Sequence, residues 1–372
     1  MRSSSGETIV KILWLKNNLL HPLDSGGKIR TYQMLRKVRE KHEIHFAAFA
    51  EGNRDADSMR DAREYCHSLF TVAPPRIPGK NSPGYYASVL RALFDRRPFT
   101  VSSYESPRMR ELVARLVAEN GYDLLVADFL TMCLNVPKSL PIPVVHFSHN
   151  VEAMIWRRHV ENERNPIKRL VFMRERERVE RFEREVIGTY AFTIAVSETD
   201  CEYFRRVYGV SRVGSISTGV DTEFYAPRGA AEKADSILFL GSMDWMPNID
   251  AVQHFVRNIY PFVKSEVPDA SLSVVGRSPD ASVTALADGD PSIVVTGTVP
   301  DTRIYVDRSA VAVVPIRIGG GTRIKIYEMM AMAKTVVSTT IGAEGLHYAD
   351  GENILIADEP REFARLVIKA LR

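Results

Sequence analysis

Gly319-Gly320-Gly321-Thr322-Arg323-Ile324-Lys325-Ile326-Tyr327-Glu328 is the stretch that decides the fold. It stands between two apolar runs that read as strands, Ala310-Val311-Ala312-Val313-Val314-Pro315 upstream and Thr335-Val336-Val337-Ser338 downstream. Ile324 to Ala333 reads as a short helix, so a glycine run and a threonine open a helix inside a β-α-β unit. The free N–H groups and positive end of such a helix favour an anion, phosphate above all. Arg323 and Lys325 add positive charge, and Glu328 is suited to accept hydrogen bonds from sugar hydroxyls. A nucleoside diphosphate fits that chemistry; a plain glycine-rich turn before an amphipathic helix is the alternative. The run is not a Walker loop, because no Gly-Lys-Ser/Thr follows, and it lacks Gly-x-Gly-x-x-Gly spacing.

The β-α rhythm extends in both directions. Ile9 to Leu15 reads as a first strand, followed by a loop with Asp24-Ser25-Gly26-Gly27, a helix to about Lys41 and a strand from Ile44 to Phe49. Further strands are expected at Leu124–Ala127, Val144–Phe147 and Phe192–Val196, and a helix at Glu105–Asn120. A second series begins at Ser236–Leu240 and continues through Leu272–Val275, Ile293–Val295 and Val311–Val314. This is an α/β chain with parallel sheets. Its 372 residues exceed most single cores. The turn-rich segment between Gly214 and Asp235 places the boundary, giving domains 1–216 and 217–372.

Composition is that of a soluble globular protein, and a formal charge of +3 does not call for nucleic acid. Cys66, Cys133 and Cys201 lie far apart without metal-type spacing, which argues against a disulfide scaffold or structural zinc. No apolar run reaches membrane-spanning length, and Met1 to Glu7 is polar. A cytoplasmic location is expected, with peripheral contact at the inner face of the membrane left open. Residues 151–190 carry ten Arg/Lys against eight Asp/Glu, an excess of two with the signs interleaved, which reads as a solvated helix more than a membrane or acceptor patch.

The chain resembles a retaining GT-B glycosyltransferase of the family 4 type. The resemblance rests on Leu238-Phe239-Leu240-Gly241-Ser242-Met243-Asp244-Trp245-Met246-Pro247-Asn248, on Val274-Val275-Gly276-Arg277 and on Val295-Thr296-Gly297-Thr298-Val299-Pro300-Asp301. The glycine-rich run, continuing to Ala333, and Gly342-Ala343-Glu344-Gly345-Leu346 complete it. The order and spacing of these pieces make the match specific. It implies two Rossmann-like, doubly wound parallel-sheet domains facing across a cleft. The C-terminal domain would hold a nucleotide-diphosphate sugar and the N-terminal domain a glycan or lipid-linked acceptor. Relatives continue past Leu371 with a helix that crosses back to the N-terminal domain, so that crossover helix is expected to be missing here.

The resemblance also assigns residues. Glu328 matches the second Glu of the family's paired-Glu element and would bind ribose; the first falls at Gly320, so that carboxylate is absent. Backbone N–H groups of Gly320, Gly321 and Thr322 are expected at the donor, with Gly241 and Val299 beside it. Arg323 and Lys325 would take the phosphate charge, since the loop Gly241–Asn248 has no Arg or Lys. Gly26 and Gly27 follow the first strand where relatives approach the diphosphate, and His149 ends a strand where relatives place a histidine near the donor sugar. His146, inside that strand, reads as core; Glu152 is left between capping and acceptor binding.

Retaining members are thought to form no covalent enzyme intermediate, the leaving phosphate itself taking the acceptor proton. The catalytic set is then His149, Arg323 and Lys325, with no metal site and no cofactor, in keeping with the lack of an Asp-x-Asp motif. Two alternatives share the fold: a non-hydrolysing sugar-nucleotide epimerase, which needs further acid/base groups, and a non-catalytic nucleotide-sugar-binding member, favoured by the missing first Glu. A dehydrogenase would need the dinucleotide fingerprint.

Overall fold

The computed structural model describes residues 8–75, 95–163, 165–318 and 323–372. It forms two compact units, Met1–Ser217 and Thr218–Arg372, each built on one parallel sheet. In the first unit the strands are β1 (Lys11–Lys16), β2 (Glu43–Phe49), β3 (Ser68–Val72), β4 (Leu124–Asp128), β5 (Val144–Phe147), β6 (Phe192–Ala195) and β7 (Val213–Ser215). They lie in the order β3-β2-β1-β4-β5-β6-β7. In the second unit β8 (Lys233–Leu240), β9 (Ser271–Val275), β10 (Ile293–Gly297), β11 (Ser309–Val314), β12 (Thr335–Ser338) and β13 (Leu355–Ile356) take the order β10-β9-β8-β11-β12-β13.

Alternation along β1 shows why the first sheet is covered on both faces. Ile12 and Trp14 join one buried cluster with Phe46, Ala48 and Val126, whereas Leu13 and Leu15 join another with Ala47, Leu125 and Ala127. Near-continuous apolar strands are what a parallel sheet between helical layers requires. In each sheet the chain runs outward on one side of its first strand and then returns to the other side. The switch points fall between β1 and β4 and between β8 and β11. Loops leaving the carboxyl ends of such strand pairs diverge and open a crevice, the usual ligand position in open α/β sheets.

Local signals set the helix ends. Ser106 accepts a hydrogen bond from the Met109 amide ahead of Pro107–Asn120, and Gly121 ends that helix in the left-handed region. The charged segment divides into two helices, Glu152–Asn162 and Pro166–Thr189, and Asn165 caps the second. The segment is largely solvated and carries i,i+4 ion pairs such as Arg157–Glu161 and Arg184–Glu180, as expected, but Glu175 and Glu183 point inward and are buried. Glu183 accepts from the amides of Glu152 (2.8 Å) and Ala153 (3.3 Å) and from the Tyr208 hydroxyl (2.7 Å). It satisfies the open end of the Glu152–Asn162 helix, so the cap comes from 31 residues downstream and not from Glu152 itself. Burial pushes the Glu183 carboxyl up to about 8.

Candidate functional site

Two clusters stand at the two switch points, one in each unit, and each is described by itself. In the second unit, β8 ends at Leu240 and the chain turns at Gly241 before the helix Met246–His254. Lys325, on the helix Ile324–Ala331 that follows β11, reaches back to this turn. Its Nζ donates to the Leu240 carbonyl at 2.5 Å and to Asn248 Oδ1 at 3.4 Å. The Asn248 amide donates in turn to the Ser242 carbonyl at 2.8 Å, so this buried side chain is satisfied at both ends. A Cβ on Gly241 would lie 2.8 Å from Asn248 Nδ2 and 3.0 Å from Lys325 Nζ, so a larger residue there would displace the amide and the ammonium from these positions. A Cβ on Gly276 would overlap the Gly241 carbonyl oxygen, which brings the β8 and β9 loops into contact.

Burial brings the Lys325 ammonium down to about 7, reinforced by the Arg323 guanidinium and opposed by Glu328. Arg323 is buried and lies over the Trp245 ring, 4.9 Å from its centroid. Glu328, on the same helix as Lys325, hydrogen bonds the Tyr225 hydroxyl, and burial raises its carboxyl above the ordinary range. Val299 packs on the core of this unit after β10. Gly320, Gly321 and Thr322, expected at the donor, lie outside the described residues. Sequence reasoning named Lys325, Arg323 and Glu328 but missed Asn248 and Tyr225. The Asn248 signal was an amide in the first turn of a helix whose preceding loop, Gly241–Trp245, has no Arg or Lys.

In the first unit the cluster centres on Asp128, the last residue of β4, which is fully buried beside the last residue of β1, Lys16. Asp128 Oδ1 accepts from Lys16 Nζ at 2.8 Å and from His149 Nε2 at 2.7 Å. Asp128 Oδ2 faces the Trp14 indole N–H at 2.8 Å and the Thr31 hydroxyl at 2.7 Å. Lys16 and His149 hold the Asp128 carboxyl far below the ordinary range, against burial, which acts the other way. Phe129 follows with a positive φ of 75° and an extended ψ of 146°, a strained backbone rare for an aromatic residue. Its ring stacks on the His149 imidazole, centroids 3.9 Å apart and 13° from parallel.

Gly26 and Gly27 are not a loop: they are the first two residues of the helix Gly26–Arg39, which corrects the expected loop. A Cβ on Gly27 would meet the Phe129 ring at 2.6 Å, so the local reason for glycine is packing against Phe129. The same helix carries Arg30, whose guanidinium donates to the carbonyls of Ser148 (2.6 Å), Ala195 (3.0 Å) and Ile216 (3.1 Å) and so ties together the chain after β5, β6 and β7. His146 is buried in the sheet, as its place within β5 implies. Asp128, Lys16, Phe129 and Thr31 escaped the sequence reading. The available signal was a charged residue closing an apolar strand twice over, in Leu13-Trp14-Leu15-Lys16 and Leu125-Val126-Ala127-Asp128, since buried charges must be paired.

Comparison with known proteins places this fold. The family model described as Glycosyltransferase Family 4 matches residues 25–224, more than half of the chain. The chain belongs to this glycosyltransferase family. A second model, Glycosyl transferases group 1, matches residues 234–372 of the same glycosyltransferase. Among curated proteins, an uncharacterized 44.6 kDa protein in the cps region of Klebsiella pneumoniae is 20% identical, covering 97% of this chain and 90% of that protein. Among solved structures, TarM superposes with a TM-score of 0.70 at 9% identity, covering 98% of this chain and 91% of TarM. Anabaena HepE in complex with UDP gives 0.62 at 14% identity over 97% and 90% of the two chains. WaaG, a glycosyltransferase involved in lipopolysaccharide biosynthesis, gives 0.59 at 14% identity over 97% and 90%. The fold of the glycosyltransferase is therefore GT-B, with two Rossmann-like units. Among the described residues no helix is long and apolar enough to cross a membrane.

Proposed function

We propose that this glycosyltransferase moves a hexose from a nucleotide-diphosphate donor to a hydroxyl of a glycan or lipid-linked acceptor with retention of anomeric configuration, in the synthesis of cell-surface polysaccharide or glycolipid. The observation that carries the reading is the Lys325 ammonium held against Leu240 and Asn248 at the switch point of the second sheet, on the same helix as Glu328. A cation there meets diphosphate charge, and a carboxylate one turn away accepts from ribose hydroxyls. Arg323 shares the phosphate charge, and the Gly320–Thr322 backbone and the chain at Gly241 and Val299 frame the donor. HepE structures with UDP and with UDP-glucose support a uridine-nucleotide donor, and the cps-region setting of the Klebsiella protein is in keeping with a cell-surface product.

In the reaction the bond from the anomeric carbon to the leaving phosphate oxygen breaks, and the acceptor oxygen bonds to the same carbon from the same face. The acceptor proton passes to the departing diphosphate, so no enzyme nucleophile is required. The chain's task is positioning and stabilising charge as it leaves. Arg323 and Lys325 do this work, and no metal or cofactor enters the proposal. His149 contacts the sugar. The reaction belongs in the cytoplasm, at the inner membrane face where the acceptor is lipid-linked. Exposed Ile167, Leu170 and Met173 beside Lys168, Arg169 and Arg174 on the helix Pro166–Thr189 suit contact with an anionic lipid surface.

The test is release of nucleoside diphosphate from UDP-, GDP- and ADP-sugars across a panel of lipid-linked and glycan acceptors, with the anomeric configuration of the product read by NMR. Acceptor-dependent release with retained configuration is expected. A protein that binds donor yet transfers to no acceptor refutes the enzyme assignment, and an inverted product refutes retention. Epimerised donor without transfer identifies the isomerase instead.

A further inference from the structure

The first unit carries a charge arrangement that the transfer reading does not require. Asp128 is surrounded by donors: Lys16 and His149 at Oδ1, Trp14 and Thr31 at Oδ2. A carboxylate so placed is ionised and accepts only, so the hydrogen between it and His149 sits on Nε2. The other ring nitrogen, Nδ1, has no hydrogen-bond partner among the described residues. It lies 3.6 Å from where a Cβ on Gly27 would stand, and Gly27 supplies none. Phe129 on the ring face and Phe147 at its edge fix the imidazole plane.

We propose that Asp128, anchored by Lys16, Thr31 and Trp14, holds His149 as the neutral Nε2–H tautomer and so presents its Nδ1 lone pair beside Gly27 as a fixed acceptor for a substrate hydroxyl. Asp128 and Lys16 are positioning residues acting through His149. A neutral acceptor nitrogen takes a hydrogen bond from a sugar hydroxyl and repels a phosphate oxygen. His149 therefore selects a hydroxyl and does not share the diphosphate with Arg323 and Lys325. The charged groups around the ring agree with a neutral imidazole. Burial lowers His149 to about 3; Asp128 from β4 opposes this, and the cations Lys16 from β1 and Arg30 from the helix Gly26–Arg39 reinforce it. Only the identity of the hydroxyl rests on the proposed transfer; the tautomer is a property of the protein alone.

The experiment is two-bond proton–nitrogen NMR on the full chain labelled with ¹⁵N-histidine, with His149 assigned by loss of its signals in His149→Gln. The neutral Nε2–H pattern, unchanged from about pH 5 to about pH 8, is expected, whereas an unperturbed histidine would titrate near 6.5. An Nδ1–H pattern, or an imidazolium at neutral pH, overturns the proposal. In Lys16→Met, which keeps the bulk and removes a cation, His149 should keep Nε2–H but begin to titrate at higher pH. A folded Lys16→Met protein whose His149 titrates as in wild type overturns the part assigned to Lys16. In Asp128→Asn, whose side chain can donate as well as accept, the tautomers should mix. Turnover of UDP-glucose, or of whichever sugar nucleotide the screen identifies, should then fall by roughly tenfold or more, ~1.4 kcal/mol. Affinity for UDP should stay constant. Equal loss of UDP affinity and turnover would place Asp128 in the fold alone. Failure of all transfer would leave the NMR result standing, so the two readings fail separately.

Discussion

Nucleotide affinity should depend on pH through Lys325, and the size of the dependence follows from its surroundings. In the free protein the ammonium is brought down to about 7 by burial and Arg323, with Glu328 pulling the other way. A phosphate charge about 4 Å away at an effective dielectric of about 20 favours the ammonium by ~4 kcal/mol, about three pK units. The bound-state value then stands near ~10. Between the free and bound values the complex holds a proton that the free protein lacks, so binding takes up a proton and affinity falls as pH rises. With the free value at about 7, the dissociation constant for UDP should rise roughly eightfold from about pH 7.5 to about pH 8.5. UDP itself is not the source of the change, because a terminal phosphate titrates near ~6.

Calorimetry at the two pH values, in two buffers of different ionisation enthalpy, reads both the affinity and the proton uptake. Lys325→Met should weaken UDP at the lower pH and abolish the slope. A wild-type dissociation constant that is flat over this range, with no proton uptake, refutes the placement of Lys325 at the phosphate.

Three further outcomes follow from the same contacts. The folded value of Lys325 lies below the ordinary lysine value of 10.5, so the unfolded chain holds the proton through the interval above about 7. Relative to Lys325→Met, the ligand-free protein should therefore gain unfolding stability as pH rises from 7 toward 10. Glu183→Ala removes three hydrogen bonds from buried or half-buried donors and should cost about 3 kcal/mol by urea unfolding, whereas exposed Glu161→Ala should cost less than about 0.5 kcal/mol. Glu328→Ala should weaken a ribonucleotide more than its 2′-deoxy analogue in equilibrium titration; equal losses would remove Glu328 from the ribose.

The sheets were legible from sequence because their strands are short apolar runs set off by turn formers, and the structure puts strands at Lys11–Lys16, Leu124–Asp128 and Ser309–Val314 where those runs stand. The weak strand Ser68–Val72 went unseen: it holds the edge of its sheet, and none of its residues is fully buried. Glycine patterns were visible, but their causes were not. Gly27 reads as room for a ligand until Phe129, roughly a hundred positions away, is found against it, and Gly241 reads as a turn until Asn248 and Lys325 are found beside it.

The buried charges show where such reading stops. Lys16 and Asp128 are 112 positions apart, and each alone looks like a polar residue ending a strand at the surface. What identifies them is that parallel pairing of β1 with β4 brings both strand ends to one switch point, where both side chains are fully buried. An unpaired charge in that position would cost several kcal/mol, so the fold is compatible with either residue only because it supplies the other. The pair is expensive relative to an apolar contact of the same volume. Such a pair suits a task that an apolar pair could not perform, and among the described residues the polar side chain that Asp128 touches at the crevice end of β5 is His149. Replacing Lys16 and Asp128 together by methionine and leucine separates the two purposes. The double variant should lose less stability than Asp128→Leu alone, because no unpaired buried ammonium is left, although the Trp14 and His149 N–H groups lose their acceptor; His149 loses its fixed tautomer and turnover falls with UDP affinity unchanged. A stable double variant with wild-type turnover would show that the buried pair serves neither the tautomer nor the reaction.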